Sequence, residues 1–434
     1  MDIGSFIAVL IALVMLLLLG APVGIAMGAA GTLGLFLVSG TKGLEIAVQT
    51  ATGAVNNYII LAVPLFVTMG VFLGRGGLGR RIFDIFNAFL RQIPGGVGVA
   101  TVLSCAVLSA MIGTSVAVAA MVGSFALPNL RRLGYSLPLS MGIIAGGGAL
   151  GILIPPSIPL ILYGVIAQES VGRLFLSGFI PGILAAGFFA TYVMFCVSRE
   201  KVLVEAPASW SERWKALKEG YWGLLVPIFV LVTLYTGLAT PVEVAALGCI
   251  LTLLVSCFVY RTINGRNFML VLREAVTSSV MILFIIVGAL VLAKFVTIIG
   301  LDRAVGNLFV TRGIPSWGFI LITMLIILAM GCFMEGASIM LIMLPILIVS
   351  IHAYGINPYV YAILFVINIE CAMLTPPIGL NLFAVDGIAK SLNLPSTLGV
   401  VVRGSFPFLL LYLLVMLLVA VFPGLALWLP AHMM

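Results

Sequence analysis

The sequence carries very little charge: 8% of its 434 residues are Asp, Glu, Lys or Arg, and histidine occurs twice. A soluble domain has roughly a quarter charged residues, so this chain cannot cover a water-facing surface of its size. That deficit excludes soluble enzymes, nucleic-acid-binding modules and disordered scaffolds. Catalytic sets are lacking too. His352 and His432 supply neither a Ser/His/Asp set nor an HExxH motif. Gly74-Arg-Gly-Gly-Leu-Gly79 lacks the Lys-Ser/Thr pair and the preceding strand of a phosphate loop, and no Walker motif occurs elsewhere. The chain is therefore not expected to be an enzyme or to hydrolyse ATP. Its six cysteines (Cys105, Cys196, Cys249, Cys257, Cys332, Cys371) show no CxxC or CxxH spacing and read as buried free thiols. The opening Met-Asp-Ile-Gly has no basic region, so the first apolar stretch is expected to be a retained span, not a cleaved signal.

What the chain has is hydrophobic sequence, 63% of all residues, in runs near the roughly 20-residue length that crosses a bilayer. Helix-length apolar segments divided by Gly, Pro and charge place spans near 4–20, 22–38, 57–75, 137–166 and 173–197 in the first half. In the second half they fall near 221–238, 242–260, 276–299, 355–387 and 402–428. Two more apolar stretches are interrupted: 94–130 at Ile112-Gly-Thr-Ser115, and 315–350 at Phe333-Met-Glu-Gly-Ala-Ser338. The polar stretch 198–220 reads as a cytoplasmic linker. Landmarks recur in order across it at nearly constant offset: Pro22 with Pro241, Leu127-Pro128 with Leu344-Pro345, Pro138 with Pro358, and Pro155-Pro156 with Pro376-Pro377. Residues 1–197 and 221–434 are thus expected to be two repeats.

Charge orients them. If 94–130 and 315–350 are re-entrant hairpins, each half crosses an odd number of times and the second repeat is inverted. With the linker in the cytoplasm, all of the 21 Lys and Arg residues except Lys42, Arg173, Lys294, Arg303 and Arg312 fall on the cytoplasmic side, as the positive-inside rule requires. Both termini are then periplasmic. The fold class expected is an all-α polytopic membrane protein: two inverted repeats, each with a re-entrant helical hairpin and a discontinuous helix.

The breaks carry the functional reading. Unpaired backbone groups at membrane depth cost several kcal/mol each, so broken helices survive there only when buried in protein or lining a polar cavity. A Pro-Pro pair removes two N–H donors and disfavours helix just before it, leaving carbonyls free. Paired hairpins and discontinuous helices are the pattern of a secondary transporter, with carbonyls and helix C-termini suited to Na⁺ and helix N-termini to an anion. Ser and Thr hydroxyls at the tips add oxygen ligands without fixed charge. Glu335 is an ion ligand or a cap for the tip's N–H groups. Glu243 reads as a helix N-terminal charge and His352 as interfacial. Asn381 and Asp386 line the cavity, unless Asp386 lies solvated at the cytoplasmic end, and Glu370 flanks the second break.

Gly147-Gly-Ala-Leu-Gly-Ile-Leu-Ile-Pro-Pro-Ser157, Tyr235-Thr-Gly-Leu-Ala-Thr-Pro-Val-Glu243 and Leu374-Thr-Pro-Pro-Ile-Gly-Leu-Asn-Leu-Phe383 resemble the large membrane subunit of tripartite ATP-independent periplasmic (TRAP) transporters, the DctM-like family. The resemblance spans essentially the whole chain. It implies an elevator-type transporter of the bacterial cytoplasmic (inner) membrane, with a scaffold and a mobile domain that carries the hairpins. It also implies sodium-driven uptake, with two or more Na⁺, of an organic acid such as a C4-dicarboxylate, sialic acid or a sugar acid. The implied partners are a separate small DctQ-like membrane subunit, a periplasmic substrate-binding protein, membrane lipid and the organic anion. Carried over by residue, a first Na⁺ site uses Gly113, Thr114, Ser115, Pro155, Pro156 and Ser157. A second uses Glu335, Gly336, Ala337, Ser338, Thr375, Pro376 and Gly379, and substrate lies near Ser115, Ser157, Ser338 and Asn381. Glu335 departs from the Asp that family members often carry. The alternative is a solitary Na⁺/dicarboxylate or citrate carrier that needs no binding protein.

Overall fold

A computed structural model of the chain describes residues 3–200, 202–332 and 334–433. Lys201 of the basic cytoplasmic set and Phe333 of the second break lie outside the described residues. The first half runs α1 (Ile3–Leu18), α2 (Val23–Ser39), α3 (Thr41–Val55), a 3₁₀ turn at Tyr58–Leu61 leading into α4 (Ala62–Gly76), α5 (Leu78–Leu90), α6 (Gly96–Ile112), α7 (Ser115–Arg132), α8 (Leu137–Ala149), α9 (Ile158–Ala167) and α10 (Val171–Val197). The second runs α11 (Trp210–Tyr235), α12 (Pro241–Leu254, extended by a π turn to Val259), α13 (Phe268–Ile298), α14 (Leu301–Thr311), α15 (Ser316–Gly331), α16 (Gly336–Ala353), α17 (Pro358–Met373), α18 (Leu380–Ser391), α19 (Leu398–Val421) and α20 (Gly424–Met433). Among the described residues, 7 helical segments are long and apolar enough to cross a membrane, and several shorter apolar helices accompany them. The protein is an all-α, multi-pass membrane protein.

Local chemistry sets the helix ends. Ser209 and Glu212 close a capping box at the start of α11, and Thr240 and Glu243 close another at α12, where Pro241 occupies the first turn. Glu243 is therefore a helix-terminal charge, as its position after Pro241 suggests. The Ser209 box also starts α11 inside the stretch expected to be linker, leaving 198–209 as the connection. This segment is docked. Leu203 N–H donates to the Leu133 carbonyl at 2.9 Å, Arg91 Nε donates to the Ala206 carbonyl at 2.9 Å, and Arg132 pairs with Glu205 at 2.7 Å. Two helices had no counterpart in the sequence reading. The first is α3, whose Lys42, Glu45 and Gln49 hide its helical period, and the second is the short α14. The last expected span is divided at Phe422-Pro423 into α19 and α20.

The helices form two packed groups, which meet where α16 lies on α13 and α6 lies on α4 and α11. In one, α13 lies against α2, α3 and α4, α4 against α12, and α1 against α2. In the other, α8 packs on α7 and α19, α17 on α15 and α19, α16 on α9, and α18 on α7. Inside a bilayer there is no hydrophobic drive between helices, so close backbone approach supplies the packing. Gly24, Gly28 and Gly31 of α2 form such a seam with Gly288 of α13, where a Cβ on Gly288 would lie 2.0 Å from the Gly24 carbonyl oxygen.

Gly288→Leu should therefore force α2 and α13 apart, with an overpacking cost of about 1–3 kcal/mol. Gly187→Ala, at an α10 position with nothing within 4 Å, should stabilise the helix by about 0.5–1 kcal/mol. Thermal unfolding of both purified variants checks the pair, and equal midpoints would contradict the seam.

Candidate functional site

Each half builds the same kind of junction. In the first, Gly113 adopts a left-handed conformation (φ 69°) at the end of α6, the chain extends through Thr114, and α7 begins at Ser115. After α8, a 3₁₀ turn at Leu150–Ile152 leads to Pro155-Pro156, and Ser157 caps α9 by accepting the Leu160 N–H at 3.4 Å. These elements touch. A Cβ on Gly113 would sit 3.2 Å from the Pro156 carbonyl oxygen, and one on Gly151 would sit 2.7 Å from the Ser115 Cα. Gly113, Ser115, Pro156 and the turn before it are thus one constellation, and Ser157 starts the helix that leaves it.

In the second half Glu335 occupies the N-cap position of α16, and Gly336, Ala337 and Ser338 form its first turn. The Glu335 carboxylate lies by the Ala337 N–H without closing a cap hydrogen bond, and the residue is exposed. Past α17, Thr375 donates its hydroxyl to the Cys371 carbonyl at 2.6 Å, which leaves its oxygen lone pairs available. Gly379, left-handed at φ 55°, precedes α18. A Cβ there would lie 3.0 Å from the Met373 and Thr375 carbonyl oxygens. Both Pro155–Pro156 and Pro376–Pro377 are cis.

The two junctions interlock crosswise. α7 of the first packs on α18 of the second, and α9 packs on α16. The starts of α7 and α16 both lie against the end of α17, where Ser115 bonds Glu370 and Gly336 packs on Ile369. N-termini present N–H groups to an anion and C-termini present carbonyls to a cation. Ser115, Ser157, Ser338 and Asn381 are all buried, and both side-chain polar atoms of Asn381 lack a hydrogen-bond partner. A buried amide with no partner is rare in a folded protein, and here it stands on the first turn of α18.

Some placements differ from the sequence reading. Asp386 is not simply solvated: it is buried, pairs with Lys390 at 2.6 Å and accepts the Ser396 hydroxyl, tying α18 to the turn before α19. His352 is exposed in the last turn of α16. Glu370 gains most. It is fully buried on α17 and accepts a hydrogen bond from the Ser115 hydroxyl across the two halves. The signal that could have singled it out was an ionisable residue inside the apolar run Val366–Met373, which at membrane depth is functional by default. Tyr163 of α9, buried with an unpartnered hydroxyl, had no such signal. No group of three or more His, Cys, Asp or Glu side chains suited to a metal occurs among the described residues.

Ser157→Ala should lose its cap and about 1 kcal/mol of stability. Asn381→Leu, which removes only unpartnered polar atoms, should leave the unfolding midpoint at or above that of the parent protein. A drop for Asn381→Leu equal to that for Ser157→Ala would mean that the amide has a structural partner.

A family model described as "Tripartite ATP-independent periplasmic transporter, DctM component" matches residues 10–425. The C4-dicarboxylate TRAP transporter large permease protein DctM of Pseudomonas aeruginosa is 34% identical over 406 residues, covering 93% of this chain and 93% of its own. The protein of the same description from Rhodobacter capsulatus is also 34% identical, over 96% of this chain and 97% of its own. Among solved structures, the Alcanivorax borkumensis YdaH transporter superposes with a TM-score of 0.63 over 90% of this chain and 89% of its own, at 14% identity, a likeness of fold alone.

Proposed function

The chain belongs to the DctM component family of tripartite ATP-independent periplasmic transporters, and from that membership we propose that it drives sodium-coupled uptake of an organic acid across the bacterial cytoplasmic membrane. The single observation that carries the reading is the crosswise packing of the junction helices, α7 on α18 and α9 on α16, with the Ser115–Glu370 bond running between the halves. Substrate is held by Ser115, Ser157, Ser338 and Asn381, with helix N-termini facing its carboxylate. Sodium is held by Gly113, Thr114, Ser115, Pro155, Pro156 and Ser157 in one half, and by Glu335, Gly336, Ala337, Ser338, Thr375, Pro376 and Gly379 in the other. C4-dicarboxylates are the first substrates to test, since both relatives above carry that description.

The halves, 1–197 and 221–434, act as inverted repeats with the connection in the cytoplasm and both termini periplasmic, the orientation that the distribution of Lys and Arg favours. The pairs α6–α7 and α15–α16 are the hairpins, while α8–α9 and α17–α18 are the broken helices. With α10 and α19 they form the group that moves as an elevator against α1–α4 and α11–α13. The packing within each group supports this division, with α16 on α13 and α6 on α4 and α11 as the surfaces between them. Each net positive charge carried inward gains about 2.3 kcal/mol per 100 mV, so two Na⁺ with a monoanion draw on both the potential and the gradient, whereas two Na⁺ with a dicarboxylate dianion draw on the gradient alone. A periplasmic binding protein delivers the substrate, and a small DctQ-like membrane subunit enlarges the scaffold within membrane lipid.

The test is uptake of a radiolabelled C4-dicarboxylate into proteoliposomes holding the chain and the small subunit that copurifies with it. Uptake is expected only with an inward Na⁺ gradient and with binding protein outside. Ser115→Ala and Thr375→Ala should each raise the Na⁺ concentration for half-maximal uptake roughly 3- to 10-fold, the loss of about one hydrogen-bond-sized interaction. Unchanged Na⁺ dependence in both would remove these residues from the sites. Uptake without any binding protein, from a chain that purifies alone, would favour the solitary carrier.

A further inference from the structure

Glu370 is a carboxylate that the reading above leaves without a task. It sits on α17 with 0% of its surface exposed, and one oxygen, Oε1, accepts the hydroxyl of Ser115 at the first hairpin tip. The other oxygen, Oε2, has no hydrogen-bond partner. Tyr412 of α19 is also fully buried with an unpartnered hydroxyl, and its electrostatic neighbours are Glu370, Cys371 and Cys105. The Ile152 backbone amide of the first junction lies against the same carboxylate. None of the ion pairs among the described residues includes Glu370.

A carboxyl at membrane depth is stabilised either by a proton or by a compensating positive charge, because burial of an unpaired ion is costly. Packing alone does not explain the choice of residue. At the same distance before the other Pro-Pro pair stands Ala149, also fully buried, so this layer accommodates an apolar side chain. A neutral strut to Ser115 would use one oxygen and orphan the other.

We propose that Glu370 is the anionic ligand of a sodium site behind the first hairpin tip, with the Ser115 and Tyr412 hydroxyls as further oxygen ligands. Its charge comes from the second half and acts at the tip of the first, so the site is complete only when α17, α7 and α19 are packed together. The identity of the ion rests on the sodium-coupled reading, whereas the place of the negative charge rests on Glu370 itself.

The experiment is equilibrium binding of ²²Na⁺ to the purified chain with its small subunit, in choline chloride at constant ionic strength, alongside thermal unfolding with and without Na⁺. Glu370→Gln keeps the shape and the bond to Ser115 but removes the charge. It should weaken Na⁺ binding about tenfold or more and shrink the Na⁺-induced rise in unfolding temperature. Tyr412→Phe removes a hydroxyl that makes no hydrogen bond. That variant should fold as the parent does and bind Na⁺ several-fold more weakly, so it carries the test should Glu370→Gln not fold. If the parent protein binds Na⁺ and both variants bind it equally well, the assignment of Glu370 is overturned while sodium coupling stands. If the parent binds no Na⁺, both fall.

Discussion

A backbone amide or carbonyl left without a partner inside the hydrocarbon layer costs several kcal/mol, and this structure concentrates its exceptions to helical pairing at a few interior points. The junctions at Gly113–Thr114, Leu153–Ser157, Met334–Glu335 and Leu374–Gly379 are each non-helical, and α7 packs on α18 while α9 packs on α16. Buried side chains come with them: the Ser157 hydroxyl closes one helix start, while the Asn381 amide stays open. Everything else is organised to make such breaks tolerable. The glycine seam between α2 and α13 gives one group of helices a close-packed wall, and the packing of α8 against α19 does the same for the other.

The junctions share a plan but differ in surroundings. Pro155 and Pro156 are buried, whereas Pro376 and Pro377 are exposed, as is Glu335 at the neighbouring tip. Ala149 lies where the second half has Glu370. Similar backbone punctuation thus creates one sealed junction and one reachable junction, and it gives the interior a polarity that two identical halves would lack. The Ser115–Glu370 bond runs from the sealed side to the other, so neither junction is chemically independent.

Much of this was legible in the sequence because the physics of membrane helices is written in punctuation. Gly and Pro mark interruptions that apolar runs otherwise lack, so the breaks at Gly113, Pro155, Gly336 and Pro376 stood out, and charge asymmetry favoured treating 94–130 and 315–350 as hairpins. Less legible were elements whose local pattern is mixed. Thr41–Val55 carries Lys42, Glu45 and Gln49 on a helix that finds its cover against α2 and α13, and nothing local announces that cover. Asp386 read either as lining the cavity or as solvated, because its partners, Lys390 and the Ser396 hydroxyl, close over it only when the α18–α19 turn folds back. The pairing of Ser115 with Glu370 joins residues far apart in the chain. No periodicity reports such a contact, even though the rarity of a carboxylate in an apolar run flags one of its members.

The docked segment between α10 and α11 bears on how freely one helix group can shift relative to the other. Fully extended, residues 198–209 would reach about 40 Å, more than the thickness of a hydrocarbon core. The contour length of this tether therefore sets no limit on sliding. What holds it is a short row of bonds, Arg91 to Ala206, Arg132 to Glu205, Leu203 to Leu133 and Ser136 to Glu200, and an exposed ion pair in such a row is worth about 0–1 kcal/mol. The covalent joint between the halves thus behaves as slack line under light fastenings: it keeps the halves at high effective concentration while adding little mechanical resistance of its own.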